Sequence, residues 1–542
     1  MNTLDYVIVA AYLLGFLLLG NLFKDNKNSS DYFLGGRSMS WFPLSLSTMA
    51  TQLSAISFIS APAFVGLKVN GGMQWLTYEM AVPLAMIFIL LVIFPPLFRS
   101  GVVSIYEFVE QRFSRSTRMI LSSVFQVSNA LGTGVMVYTM AFILQAVLGI
   151  DFIYTILLIS AITIIYSWQG GMKAVVWGDA LQMIILFVGL IVCFVYGWQL
   201  FNAIPEATID ASRTTAIDFN WGFDGETYGI APMIIGGFFL YASYYGCDQT
   251  QAQRLLSAKN ENTVKKLLLA NGLLRFPVVL VYCTMGLIIG SYAISNPDFM
   301  NAVVDITKEH FPQEYESNGL KADLMMPVFI LNYLPHGMIG LLMIGILSAA
   351  MSSLSSTVNS LAAVTVEDLF NKKEKPLSSE EYLRKSKLAV VFWGLMCIGA
   401  AYLFGGSDSP VIEIINAIGS VFYGPILATF VLAIFSKRVT AKGMNAGILA
   451  SVGLNLLLSS TIQKIFGFDL GFDVFWIWLN FTGFVLAVAI AYAVSAIDKD
   501  NAKSFVMNYQ FEWSMLRKPV PLVLFGFFGL IILISYLMPT FF

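Results

Sequence analysis

The chain has 542 residues, of which 57% are hydrophobic and only 12% charged, with a formal net charge of −2. A soluble domain carries about 25% charged residues, so this composition excludes one and points to a polytopic membrane protein. Two histidines and four irregularly spaced cysteines (Cys193, Cys247, Cys283, Cys397) exclude a histidine-rich metal site and a disulfide frame. No phosphate-binding loop, dinucleotide fingerprint or nucleophile elbow points to ATP-driven transport or to an enzyme.

Apolar runs of about twenty residues, long enough to cross a bilayer as helices, recur about fourteen times. They fall near 3–22, 41–66, 73–98, 117–148, 152–169, 175–201, 230–255, 266–295, 336–366, 386–405, 411–436, 441–461, 472–496 and 519–539. With the N-terminus outside, about 25 of the 31 Lys and Arg residues fall in inner loops, about five fall outside, and Arg275 lies within a span. Cationic loops stay on the cytoplasmic side, so both termini are expected outside an integral, multi-pass protein of the cell (inner) membrane.

Two spans read as interrupted. The second contains TMATQLSAISFISAPAFVG, rich in Ser and Thr and holding Pro62; the seventh contains GGFFLYASYYGCDQTQAQR, broken by Gly236, Gly237 and Gly246. Each is either a kinked packing helix or an unwound helix lining a buried site, where freed carbonyls need a cavity or an ion. Five spans separate the two, the spacing of an inverted repeat. The expected organisation is a first span and inner loop (1–40), a first repeat (41–201), an outer loop (202–229), a second repeat (230–436) and additional C-terminal helices (437–542).

The ninth span holds GILSAAMSSLSSTVNSLAAVTVED, from Gly345 to Asp368. Ser352, Ser355 and Ser356 stand at i, i+3 and i+4 and share a helical face. Such a stripe serves close helix packing or an oxygen-lined site for a hard cation. Three charges fall where burial is costly and usually functional or paired: Glu79, Asp179 and Arg275. Asp179 is either an interfacial residue near Lys173 or a carboxylate facing the serine helix. Arg275 has Glu79 and Asp248 as available partners.

Several motifs then carry a family resemblance. YSWQGGMKAVVWGD (Tyr166–Asp179), DYFLGGRSM (Asp31–Met39), IYEFVEQRF (Ile105–Phe113), QAQRLLSAK (Gln251–Lys259) and AAMSSLSSTVNS (Ala349–Ser360) together resemble the sodium/solute symporters, in order and on the corresponding spans. The resemblance implies an all-α, leucine-transporter-type fold with a five-plus-five inverted repeat and Na+ as the coupling ion, without an organic cofactor. It implies a main sodium site at Ala50, Leu53, Ala349, Ser352 and Ser353, and a second at Asp179, Ser352, Ser355 and Ser356. The solute would meet Gln52, Ser54, Ser57, Glu79, Tyr241, Tyr244 and Asp248, with Tyr244 closing the inner side. Sugar-transporting members carry a glutamine where Ser57 stands. The arginine that holds a carboxylate in sialic-acid members has no counterpart in NALGTGVMVYT.

The expected function is sodium-coupled import of a small polar solute, a sugar or polyol, by alternating access. The alternatives are uptake of a sialic acid, monocarboxylate or other small anion, proton coupling through Asp179 or Glu79, and, in another class, an uncoupled channel or a transporter-like sensor. The expected partners are the solute, Na+ and the lipid bilayer, with no nucleic acid.

Overall fold

The computed structural model describes residues 1–25, 28–53, 55–149, 151–222, 228–371, 376–403, 411–468, 470–471, 474–498 and 511–542. It is all-helical. In chain order the principal helices are α1 (Thr3–Leu22), α2 (Trp41–Gln52), α3 (Ala55–Gly66), α4 (Met73–Ser100), α5 (Ile105–Arg112), α6 (Arg115–Leu148), α7 (Phe152–Asn202) and α8 (Ile230–Cys247). They continue as α9 (Gln249–Leu256), α10 (Glu261–Ser295), α11 (Met338–Val364), α12 (Ser379–Leu403), α13 (Val411–Phe435), α14 (Ala441–Leu458), α15 (Trp478–Ile497) and α16 (Pro519–Leu537).

Among the described residues eleven helices are long and apolar enough to cross a membrane, or twelve if α2 and α3 form one bent span. The fourteen crossings expected from the sequence require α7 to cross twice and α12, outside that set, to cross as well. At 51 residues, α7 would be about 77 Å long if straight, more than twice a hydrocarbon core of about 30 Å. It is not straight: Gly171 has φ +54° and ψ −147°, outside helical space. A Cβ there would stand 2.5 Å from the carbonyl oxygen of Tyr32, so both the turn and the close approach require glycine.

The second and seventh spans are both interrupted, but the seventh not at its glycines, since α8 runs unbroken through Gly236, Gly237 and Gly246. α2 ends at Leu53, whose ψ of 69° leaves the helix, and the two halves bend by 54°. α8 ends at Asp248, with φ −92° and ψ 129°. The Asp248 side chain then accepts the N–H of Thr250 and caps α9, which supplies an acceptor to one of the unpaired donors at that helix start.

The serine helix α11 is the most enclosed element: nearly every residue from Ile339 to Val364 is buried. It packs most extensively on α7 and also touches α1, α6, α9 and α12. Small residues permit a similar approach between α3 and α10. A Cβ on Gly66 would stand 2.4 Å from the Gly286 carbonyl oxygen, and one on Gly286 would stand 2.4 Å from that of Pro62. In contrast α1, α15 and α16 are apolar yet mostly exposed, as helices facing lipid must be. The polar residues are therefore enclosed by an apolar rim.

Candidate functional site

Where α2 stops, its last turn meets α11. Ser353 Oγ lies 3.4 Å from the carbonyl oxygen of Thr51, and Thr51 Oγ1 lies 3.2 Å from Ser356 Oγ. Leu53 donates its N–H to Met49 at 2.7 Å. Ala50, Leu53, Ala349 and Ser352 are all buried. The first expected sodium site thus has its broken helix beside its serine helix, and neutral oxygens of this kind suit a hard cation. The two adjacent serines diverge: Ser353 turns to α2, while Ser352 donates to Asp179 Oδ1 at 2.7 Å. Thr51, absent from the sequence expectation, contributes both a carbonyl and a hydroxyl.

The second expected cation site is altered by a residue outside its expected set. Asp179 is fully buried on α7 and accepts from Ser47 at 2.5 Å, Ser352 at 2.7 Å and Ser356 at 3.2 Å. Arg254 of α9 is 1% exposed, and its Nη2 lies 2.8 Å from Asp179 Oδ2. The same guanidinium also donates to Ser47, Ser356 and the Thr250 carbonyl. A covalently held cation therefore stands among the oxygens expected for an ion. Ser355 is a further correction: its hydroxyl bonds back to the Ser352 carbonyl at 3.0 Å, the local bond that serine offers within helices. Lys173 is not the partner of Asp179.

Two more of the arginines counted on the inner side are enclosed within the protein. Arg112 donates to the carbonyls of Ser436 and Val439. Arg118 pairs with Asp368 and Glu110. All three arginines are buried because each satisfies its charge against oxygen inside the protein instead of in water.

Beside the first site lies a cavity of about 160 Å³. Of the expected solute residues, Gln52, Ser57, Glu79 and Tyr244 line it. Tyr241 and Asp248 do not: Tyr241 stands behind Glu79, 3.4 Å from its Oε1, and Asp248 is spent on Asn129 at 3.0 Å and the Thr250 N–H at 2.7 Å. Ser54 lies outside the described residues. Tyr244 accepts from Gln251 at 3.1 Å and meets the Tyr423 ring edge-on at 5.9 Å, forming a wall shared by α8, α9 and α13. On another side Tyr78 donates to Asn416 at 3.0 Å and packs against Trp75, Tyr241 and Trp476. Ser353 and Leu53 line the cavity too, so residues expected for the ion and for the solute share one wall.

Of the two partners open to Arg275, the structure selects Glu79. Arg275 lines the cavity from α10, is 4% exposed, and forms a two-point ion pair with Glu79 in which Nη2 lies 2.9 Å from Oε1 and Nε bonds Oε2. Glu79 is thus engaged and does not stand free as a hydroxyl acceptor. The sequence signal for this pair was present in two intramembrane charges of opposite sign.

Residues 32–451 match the Sodium:solute symporter family. The chain belongs to that family. Among its relatives, the sodium/sialic acid symporter NanT of Aliivibrio fischeri is 26% identical over 511 residues, covering 93% of this chain and 95% of that protein. The sodium-coupled monocarboxylate transporter 1 of Mus musculus is 29% identical over 83% of this chain and 72% of its own length. The sodium/iodide cotransporter of Homo sapiens is 29% identical over 83% and 69%. A substrate-bound, outward-open Na+-coupled sialic acid symporter superposes with a TM-score of 0.75 at 23% identity, covering 93% of this chain and all of that one; it shares the fold. The chain is therefore a sodium-coupled transporter of a small solute in a membrane, and not an enzyme.

Proposed function

We propose that this symporter imports a small organic anion with sodium. The carrying observation is Arg275, the one cationic side chain lining the cavity among the described residues. The sugar or polyol expectation read Glu79 as a hydroxyl acceptor, and here the same carboxylate is paired with Arg275. The relatives' names add sialic acid, monocarboxylate and iodide. Sodium binds where the end of α2 faces Ser353, with Ala50, Leu53, Ala349 and Ser352 as its expected shell. It thereby fixes the cavity wall that the solute needs. Asp179, Ser47 and Ser356 hold Arg254 instead of a second ion, with Ser352 bonded to Asp179. Two five-helix repeats within fourteen crossings move around this site, both termini lie outside, and Tyr244 closes the inner side.

The cavity, of about 160 Å³ and partly open, has room for a small anion beside Arg275. A sialic acid is the second reading, supported by the nearly full-length match to NanT. Uptake into proteoliposomes of labelled lactate, benzoate, sialic acid, glucose and mannitol, with and without an inward sodium gradient, decides between them. Sodium-stimulated uptake confined to small carboxylates supports the proposal, and uptake of glucose or mannitol alone refutes it.

A further inference from the structure

We propose that Gly132 sets the size of solute this symporter accepts, by leaving room in the cavity wall for the solute's uncharged end. The inference rests on the cavity being the solute's site, and not on the solute's charge. α6 presents one face to the cavity: Ser128, Asn129, Gly132, Thr133 and Met136 all line it, at the i, i+4 and i+8 spacings of residues stacked on one side of a helix. A side chain is missing at the middle of that face. A Cβ built on Gly132 would meet no neighbouring atom within 4 Å, although the residue lies deep inside a helix of 34 residues. Glycine in a helix interior is unfavourable relative to alanine, so the helix itself gives no reason for it here.

Two other glycines show what a packing role looks like. Gly134 lies two positions on, about 200° around the helix, and does not line the cavity. A Cβ there would stand 2.6 Å from the Ala400 Cβ of α12, so that position is glycine for close helix contact. Gly419 does line the cavity, from α13, but a Cβ on it would stand 2.6 Å from the Tyr423 ring, so it makes room for a side chain of its own helix. Of the two glycines that line the cavity, Gly132 is the one whose missing side chain leaves open space.

The surrounding wall fixes the chemistry of what fits there. α6 packs chiefly on α11, α12 and α13, and none of its five lining residues is charged. The charged pair, Glu79 and Arg275, reaches the cavity from α4 and α10 instead. The end of the solute that lies against α6 is therefore uncharged. The polar neighbours of Gly132 are tied back: Ser128 donates to the Phe125 carbonyl at 3.1 Å, and Asn129 donates to the same carbonyl at 3.2 Å and to Asp248 at 3.0 Å. With those side chains held, the width of the gap is set by the side chain at position 132. In a cavity of about 160 Å³ even one added methyl group takes room that the solute needs.

The test uses the full-length protein, in detergent for stability and in proteoliposomes for transport. Gly132→Ala puts a methyl group into open space and a better helix former into the helix, and should raise the melting temperature by up to about 2 °C. Gly134→Ala, which collides with Ala400, should lower it. The transport probes are labelled lactate, benzoate, sialic acid, glucose and mannitol under an inward sodium gradient. The half-saturating concentration of each probe that is taken up should rise a few-fold in Gly132→Ala and at least about tenfold in Gly132→Leu, with larger probes losing more than smaller ones. Stabilisation by sodium in the absence of solute should match the unaltered protein, because position 132 is not part of the expected sodium shell. If Gly132→Leu does not fold, the rise in Gly132→Ala decides alone. A melting temperature lowered by Gly132→Ala would show that the space is filled, and would overturn the proposal. So would half-saturating concentrations left unchanged by Gly132→Ala, or a fall in maximal rate alone, which marks a hinge and not a size limit. Absence of sodium-driven uptake of all five probes would overturn it as well. Uptake confined to glucose and mannitol would remove the anion reading, yet supports this proposal if the variants raise those half-saturating concentrations as stated.

Discussion

Asp179→Asn removes one charge from the buried pair with Arg254 while preserving shape. Both partners are at most 1% exposed, so solvent screens little of the loss. Removing one member of such a pair typically costs about 3–5 kcal/mol, because the other charge is left buried without compensation. Arg254 keeps neutral acceptors in Ser47, Ser356 and the Thr250 carbonyl, which places the expected cost near the low end, about 3 kcal/mol. In a chain of this length 1 kcal/mol moves the midpoint by at most about 2 °C, so the expected drop is about 3–6 °C. The assay is thermal unfolding of purified protein in detergent, with sodium and choline compared. The double variant Asp179→Leu/Arg254→Met should recover most of the drop, since apolar replacement of a whole pair is neutral or better. Arg254→Gln should behave differently: with the tethered cation gone, sodium can take its place and should stabilise this variant more than the unaltered protein, by up to about 2.7 kcal/mol at a hundredfold excess over its dissociation constant. If Asp179→Asn melts with the unaltered protein, or Arg254→Gln gains nothing from sodium, Arg254 does not occupy a cation site.

Three further outcomes are expected. Ser353→Ala removes the hydroxyl that faces the Thr51 carbonyl and should raise the sodium concentration for half-maximal uptake at least several-fold; an unchanged sodium dependence places the ion elsewhere. Gly286→Ala forces a Cβ to within 2.4 Å of the Pro62 carbonyl oxygen, and overpacking of this kind costs about 1–3 kcal/mol, to be read as a lower melting point in detergent. Tyr244→Ala opens the wall shared with Gln251 and Tyr423, and should increase sodium-independent leak of solute from preloaded proteoliposomes; a leak equal to that of the unaltered protein denies Tyr244 a closing role.

Much of the scaffold was legible because membrane helices announce themselves locally. Spans follow from apolar runs, and the breaks at Leu53 and Asp248 fall within the two runs that Ser, Thr and Gly mark. The Ser352, Ser355 and Ser356 stripe follows from helical spacing, although which hydroxyls face a partner does not: Ser355 turns back to its own helix, and no spacing rule separates it from Ser356. The pairings were the hidden part. Arg254 meets Asp179 75 positions away and Arg275 meets Glu79 196 positions away, so nothing in either local stretch fixes the match. Arg254 was not among the expected site residues for a physical reason: the short helix α9 turns inward after the Asp248 break and carries its arginine to a carboxylate. For Arg275 the sequence offered Glu79 and Asp248 alike, and only the packing of the helices selects Glu79.

The most direct test of sodium-coupled anion symport reads the coupling backwards. An inward gradient of a small carboxylate such as lactate or benzoate should drive radioactive sodium into proteoliposomes in the absence of any sodium gradient, because ligands that raise each other's affinity must do so reciprocally. The account predicts sodium entry that rises with the carboxylate gradient and, in Ser353→Ala, needs a several-fold higher sodium concentration. Carboxylate entry without accompanying sodium would contradict it.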